Sequence, residues 1–287
     1  MKKNKEFKFV QLSHLQSMFF SDFEDRYIFG KISSVLRPIL GDIMKKTLLT
    51  AVFAACAFVS SVNAEKLRFG TEATFAPFEF TDKDSNIIGY DVDIIKAIAE
   101  VEGFEVEIVN LPFDSLVPSV LTSQIDGVIA AMTITPDRAK QVAFSDPYYK
   151  SGISAVIRKD DIEKYVSLDD LANKRLCAQI GSTGSNAATK ISGKVGNYNT
   201  VPEEFMELNS KGCEAVINDR PVNLYFLQQM KEDAFVEIKE LYNGEDYGIV
   251  LNKKNKDLLN KINSGLAKIR ANGKFKEIHV KWFKVEE

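Results

Sequence analysis

The stretch Asp91-Val92-Asp93-Ile94-Ile95-Lys96-Ala97-Ile98-Ala99-Glu100-Val101-Glu102-Gly103-Phe104-Glu105-Val106-Glu107-Ile108 holds two structural periods separated by one glycine. Before Gly103, Ile94, Ile95, Ile98, Ala99 and Val101 recur at the spacing of a helix with one buried face, and Asp91 stands where a side chain can cap the first turn. After it, Phe104, Val106 and Ile108 alternate with Glu105 and Glu107, the period of a half-buried strand. A helix handed directly to a strand predicts a sheet covered by helices, an α/β fold.

The alternation extends both ways. Residues 67–70 read as a short strand, and residues 71–86 as a loop rich in aromatics around Pro77. Downstream, Asp114 or Ser115 starts a second helix carrying Leu116, Val117, Val120 and Leu121, with Pro118 in its first turn, where a missing N–H is tolerated. Residues 128–131 read as an apolar strand, and Thr135-Pro136 as the cap and first position of a third helix. A second unit follows the extended residues 151–158. It has a capping box at Ser167 and Asp170, a strand over 175–180, a helix opened at 181–185, a helix over 204–208, a strand over 214–218 and a helix over 221–230. Residues 247–251 are extended again, and a long helix with Leu258, Leu259, Ile262, Leu266 and Ile269 stops at Asn272-Gly273. Extended joints near positions 150 and 248 predict that the chain crosses twice between two lobes. Residues 65–150 with 248–287 form one lobe and residues 151–247 the other, with hinges at 150–153 and 247–248.

Met44-Lys45-Lys46, the apolar run over 48–59 and the small residues ending at Val62-Asn63-Ala64 have the order of a secretory signal, so residues 44–64 are read as a cleaved signal peptide. The run is shorter than the ~20 apolar residues a membrane span needs. Residues 1–43 are then a mis-called or non-native extension; the competing reading makes the apolar run an uncleaved anchor. Acylation at Cys56 is a further, less favoured possibility, because Phe53-Ala54-Ala55-Cys56 matches a lipobox poorly. Of 37 basic and 40 acidic residues, nine and five lie within 1–64, which leaves a mature net charge of −7 and makes nucleic acid a poor partner.

Two of the three cysteines, Cys177 and Cys213, belong to the mature chain, where an isolated pair in an oxidising compartment reads as a disulfide rather than a metal site. The alternative is two buried thiols. His279 is the one mature histidine, in a helical tail over 275–283, so zinc sites and Ser-His or Cys-His pairs are hard to build and a structural role is favoured. No cofactor is expected.

Thr135-Pro136-Asp137-Arg138 puts Arg138 in a first helical turn, where its planar fork and the positive helix end suit a carboxylate; the bland reading is a solvated surface charge. Gly181-Ser182-Thr183-Gly184 joins a strand to a helix and offers amides and two hydroxyls to an anion, without the lysine of a phosphate loop; it can equally be an ordinary helix cap. Asp219 ends a strand at the edge where ligands meet an α/β sheet and could hold an ammonium, or cap the helix at Pro221. Phe75 and Phe113 follow strands at the same edge, either as core or as faces for a ligand side chain.

Together these residues resemble the polar amino-acid solute-binding proteins of ABC importers. The likeness is carried, in order, by residues 74–80 (TFAPFEF), 89–93 (GYDVD), 131–138 (AMTITPDR), 144–149 (FSDPYY), and Asn272-Gly273 through Trp282-Phe283. It implies a two-lobed type II periplasmic-binding fold. It further implies that Arg138, Ser182 and Thr183 hold an α-carboxylate, that Asp219 and the region of Ala131, Met132 and Thr133 hold the α-ammonium, and that Phe75 and Phe113 flank the side chain. Glu72, Gln179 and Asn218 would face its polar end. Ala131 stands where relatives often have glycine. Glu72 looks like the acid of arginine binders, so arginine or another basic amino acid is the expected ligand, with glutamine next because Phe113 and the Asn218-Asp219-Arg220-Pro221 stretch also look like glutamine-binding relatives. The implied protein is a periplasmic monomer that closes around a free amino acid, delivers it to a membrane permease, and catalyses no reaction. A two-lobed enzyme such as a dehydratase is the alternative class, opposed by the retention of both Arg138 and Asp219; a surface adhesin or sensor is a third.

Overall fold

The computed structural model describes residues 65–230 and 234–284. The expectations for residues 1–43, for the signal peptide at 44–64 and for Cys56 lie outside the described residues.

The chain opens with β1 (Lys66–Thr71), β2 (Thr74–Phe75), β3 (Glu79–Thr81), β4 (Ile87–Ile88), α1 (Tyr90–Glu102), β5 (Glu105–Asn110), α2 (Phe113–Leu121), β6 (Gly127–Val128), α3 (Pro136–Gln141) and β7 (Ala143–Phe144). It continues through β8 (Tyr149–Arg158), β9 (Arg175–Gln179), α4 (Thr183–Ile191), β10 (Lys194–Tyr198), α5 (Val201–Asn209), β11 (Ala215–Asp219), α6 (Arg220–Gln229), β12 (Phe235–Ile238) and β13 (Gly244–Tyr247), and ends with β14 (Val250–Leu251), α7 (Lys256–Ala271) and α8 (Lys274–Phe283). A first sheet has the order β5-β1-β6-β14-β7 and a second the order β10-β9-β11-β8-β12, with β13 also on β8. In the first, β5, β1 and β6 are parallel; in the second, β10, β9 and β11 are. Each sheet is the core of one lobe. β8 belongs to the second sheet along most of its length, and its first residues pair with β13 at Tyr149↔Tyr247 and Gly152↔Gly244.

Burial follows the sequence pattern where the period is strong. Ile94, Ile95 and Ile98 of α1 are fully buried, and Gly103 ends the helix in the left-handed conformation with its N–H on Ala99 O. Ile262, Leu266 and Ile269 of α7 pack into the same core. Cys177 and Cys213 are bonded, with Cα atoms 6.0 Å apart, and tie β9 to the turn before β11.

Several local expectations are corrected. Asp91 does not cap α1, whose N-cap is Gly89; its carboxylate is buried and accepts from the Ala131 N–H and the Tyr148 hydroxyl, both at 2.7 Å. α2 starts at Phe113 behind an extended Pro112, so Pro118 lies inside the helix and not in its first turn. The strand expected over 128–131 is confined to Gly127–Val128, because the chain turns into the left-handed region at Ala131, φ 44°. Residues 71–86 are not a plain loop: β2 and β3 lie there and, with β4 just beyond, form a small antiparallel sheet. Asp170 accepts from the Ser167 N–H at 2.9 Å, but the turn it supports is one short 3-10 segment, Asp169–Leu171. α5 begins at Val201, ahead of the expected 204, because Thr200 and Glu203 form a capping box. The expectation missed β10, β12 and β13, which are short and carry glycine or charge at positions where alternation would show.

Candidate ligand-binding cleft

The parallel strands of both sheets deliver their carboxyl ends to one cleft. β1 leads to Glu72, β6 to Thr133, β9 to Gln179 and Gly181, and β11 ends at Asp219. Open α/β sheets place ligands at this edge. Gly181 takes φ 75° to start the turn into α4, and a Cβ on Gly184 would lie 2.6 Å from the Ile217 carbonyl oxygen, so glycine lets α4 rest on β11.

Arg138 reaches across the cleft. Its backbone N–H is satisfied by the Thr135 hydroxyl at 3.2 Å, and its guanidinium donates to Thr133 O at 2.9 Å and to Gly181 O, on the second lobe, at 3.0 Å. The guanidinium carbon stands 5.4 Å from the centroid of the Phe113 ring, a cation–π distance. The Thr133 and Thr183 hydroxyls, one from each lobe, both donate to Glu245 Oε2, at 2.8 and 3.0 Å. Asp219 accepts from the Tyr247 hydroxyl and is not a side-chain cap of α6.

The other end of the cleft is a nest of carboxylates and amides. Glu72 accepts from the Thr74 hydroxyl at 2.9 Å and from Gln179 Nε2 of the opposite lobe at 3.0 Å. Gln179 Nε2 also donates to Asn199 O at 3.1 Å. Asn218 Nδ2 donates to Glu204 Oε2 at 3.3 Å. Phe75 is buried beside this end, 6.4 Å from Phe78 between ring centroids.

Glu72, Phe75, Phe113, Thr133, Arg138, Gln179, Thr183 and Asp219 thus stand around one cleft. Met132 does not turn its side chain there: it packs under the first sheet with Leu116 and Val120, and its carbonyl accepts from Gly248 N. The Ala131 N–H is committed to Asp91, and the Ser182 hydroxyl to Gln179 O at 2.7 Å and Ser185 N at 2.9 Å as the cap of α4. Glu245 carries no expectation from the sequence, and Tyr247, expected at a hinge, also meets Asp219. The consecutive acids of Gly244-Glu245-Asp246-Tyr247 show no alternation in the sequence, so nothing there marks Glu245 as the buried one and Asp246 as the exposed one.

Burial dominates the electrostatics. It pushes the Glu72 carboxyl up, against the hydrogen bonds from Thr74 and Gln179. Burial and the nearby Glu245 push Asp219 up to about 8, against the pull of Tyr247 and Arg138. Glu245 is raised by burial, opposed by Thr133, Thr183 and Arg138, and Glu204 is raised well above its ordinary value by burial and by Glu72 and Asp219. Burial lowers Arg138, against the pull of Glu245 and Asp219. The cleft is therefore rich in buried acid, and a cation entering it would relieve that excess.

Two facing α/β lobes with charged groups meeting at the strand ends define the two-lobed architecture of type II periplasmic binding proteins. The chain belongs to the bacterial extracellular solute-binding proteins, family 3, which it matches over residues 67–285. It is 34% identical over 245 residues to ABC transporter arginine-binding protein 1 of Escherichia coli (strain K12), covering 84% of this chain and 99% of that one. An ancestral arginine-binding protein bound to arginine superposes with a TM-score of 0.74 at 39% identity, over 77% of this chain and 99% of that one. An ancestral arginine-binding protein bound to glutamine gives 0.73 at 40%, over 76% and 97%.

Proposed function

We propose that this protein is an extracytoplasmic receptor for a free basic amino acid, arginine first, and that it delivers its ligand to the membrane permease of an ABC importer. The observation that carries this reading is the placement of Arg138 and Asp219 on opposite lobes within electrostatic reach of one another in a shared cleft. A zwitterion supplies the complement to both, its carboxylate to Arg138 and Thr183 and its ammonium to Asp219 and Thr133. Phe75 and Phe113 flank the side chain, and Glu72 receives its cationic end. The relatives named for arginine support the ligand class.

The lobes, residues 65–150 with 248–287 and residues 151–247, move as bodies about 150–153 and 247–248. Ligand held by one lobe gains the contacts of the other only on closure. The protein acts as a periplasmic monomer and makes or breaks no bond. Glutamine is the second reading, favoured by the Gln179 amide, which shows Glu72 accepting from a neutral carboxamide at 3.0 Å. A thermal-shift screen of the common amino acids tests both. Arginine is expected to raise Tm, by the equivalent of about 2.7 kcal/mol at a hundredfold excess over Kd. A shift with glutamine alone rejects the basic preference, and no shift with any amino acid rejects the receptor.

A further inference from the structure

Glu204 has no evident structural task. It sits in the first turn of α5, yet the capping work is done by its neighbour Glu203, whose carboxylate accepts from Asn199 N and Thr200 N at 3.0 and 3.1 Å. Glu204 is 0% exposed, one of its oxygens takes a 3.3 Å bond from Asn218, and the other, Oε1, has no hydrogen-bond partner. A carboxyl group buried in this way stays ionised only when something positive meets it, and otherwise keeps its proton. An apolar residue would pack there without either demand.

Its surroundings lie at the junction of the two lobes. α5 packs against β2, the short strand of the opposite lobe that follows Glu72, and Val201 and Phe205 of α5 share a core with Phe75. Glu204 lies within electrostatic reach of both Glu72 and Asp219. The amides of Gln179 and Asn218 stand on the two acids, one on Glu72 and one on Glu204. Two buried carboxyl groups, one from each lobe, thus lie within electrostatic reach of one another, each holding a carboxamide from β9 or β11.

We propose that Glu204 and Glu72 together seat the cationic terminus of the ligand side chain, so that Glu204 is a specificity-determining residue selecting a charged over a neutral end group. The inference rests on the amino-acid reading above. A guanidinium between the two acids donates to both at once, using the fork geometry that a carboxamide lacks. Because the acids come from different lobes, the same cation also links the lobes in the closed state.

The test compares L-arginine with L-citrulline, its neutral isostere, by titration calorimetry on the full mature chain and on Glu204→Gln. The expected result is a loss of arginine affinity on the order of ten- to a hundredfold in the variant, as for a charge-assisted hydrogen bond, with citrulline changed by less than about threefold. Equal losses for both ligands, or no loss for either, overturn the proposal while leaving the receptor intact. A wild-type protein that binds neither, and no other amino acid, defeats the receptor reading itself. Glu204→Asp keeps the charge but withdraws it by one methylene, and serves as the second variant should the glutamine substitution unfold. It is expected to weaken arginine and spare citrulline, and the reverse order overturns the assignment.

Discussion

The Arg138 guanidinium donates to the carbonyl oxygen of Gly181 at 3.0 Å, a bond between the two lobes made by a side chain proposed to meet the ligand. In the proposed receptor, one group therefore serves closure and recognition together. Lysine cannot reproduce this, because a point charge lacks the second, coplanar donor that holds Thr133 O. Arg138→Lys is expected to weaken ligand binding by on the order of a hundredfold and Arg138→Ala by more, with ligand-free Tm changed by only a few degrees. Calorimetry and thermal unfolding measure the two effects separately; collapse of the fold would assign Arg138 to structure instead.

Asp219 makes stability and affinity depend on pH in opposite ways. Its folded pKa, about 8, lies above its ordinary 3.8. Between those values the folded, ligand-free protein keeps a proton that the unfolded chain has released, so stability falls as pH rises through that window. Ligand-free Tm should decrease from about pH 5 to about pH 8, and Asp219→Asn should flatten part of that slope. A bound ammonium favours the carboxylate, so binding expels the proton and tightens toward the upper end of the same window. Calorimetric heats that depend on the ionisation enthalpy of the buffer would report that release.

Glu245 is the acceptor that holds Thr133 to Thr183 across the cleft, at 2.8 and 3.0 Å. Each bond to a charged acceptor contributes about 1.5 to 3 kcal/mol. Glu245→Ala should therefore shift ligand-free protein toward the open form by on the order of tenfold or more, seen as a larger radius of gyration in small-angle scattering. An unchanged radius would show that closure is held elsewhere.

The bond between Cys177 and Cys213 closes a loop of 36 positions and should stabilise the protein by about 3 to 4 kcal/mol through the unfolded state. Denaturant unfolding with and without reductant measures it. Mass spectrometry of unreduced protein should find no free thiol at either position.

The strongest periods in the chain were the most legible. Ile94, Ile95 and Ile98, and later Ile262, Leu266 and Ile269, carry burial patterns that any helix of this composition must satisfy, and the strands Arg175–Gln179 and Ala215–Asp219 stand out by the consecutive apolar residues they carry. The small sheet over 71–88 stayed hidden because strands of two or three residues leave no measurable alternation. Asp91 was misplaced for a different reason. A helix cap and a buried acceptor use the same side chain near the same turn, and only the approach of Ala131 and Tyr148 from elsewhere in the chain decides between them.

The order of apolar and polar residues and the glycines at turns predicted by themselves two α/β lobes, with Arg138 in a first helical turn and Asp219 at a strand end as candidates for the cleft between them. What the tertiary structure alone decided is which side chains meet where the lobes join. Glu204 and Glu245 lie in segments with no ligand signature, and each meets residues more than a hundred positions away, Glu72 and Thr133, only because α5 and β13 bring it there. Local pattern specifies a side chain's face, since periodicity is a property of neighbouring residues. It cannot specify that face's partner, which depends on how the lobes pack.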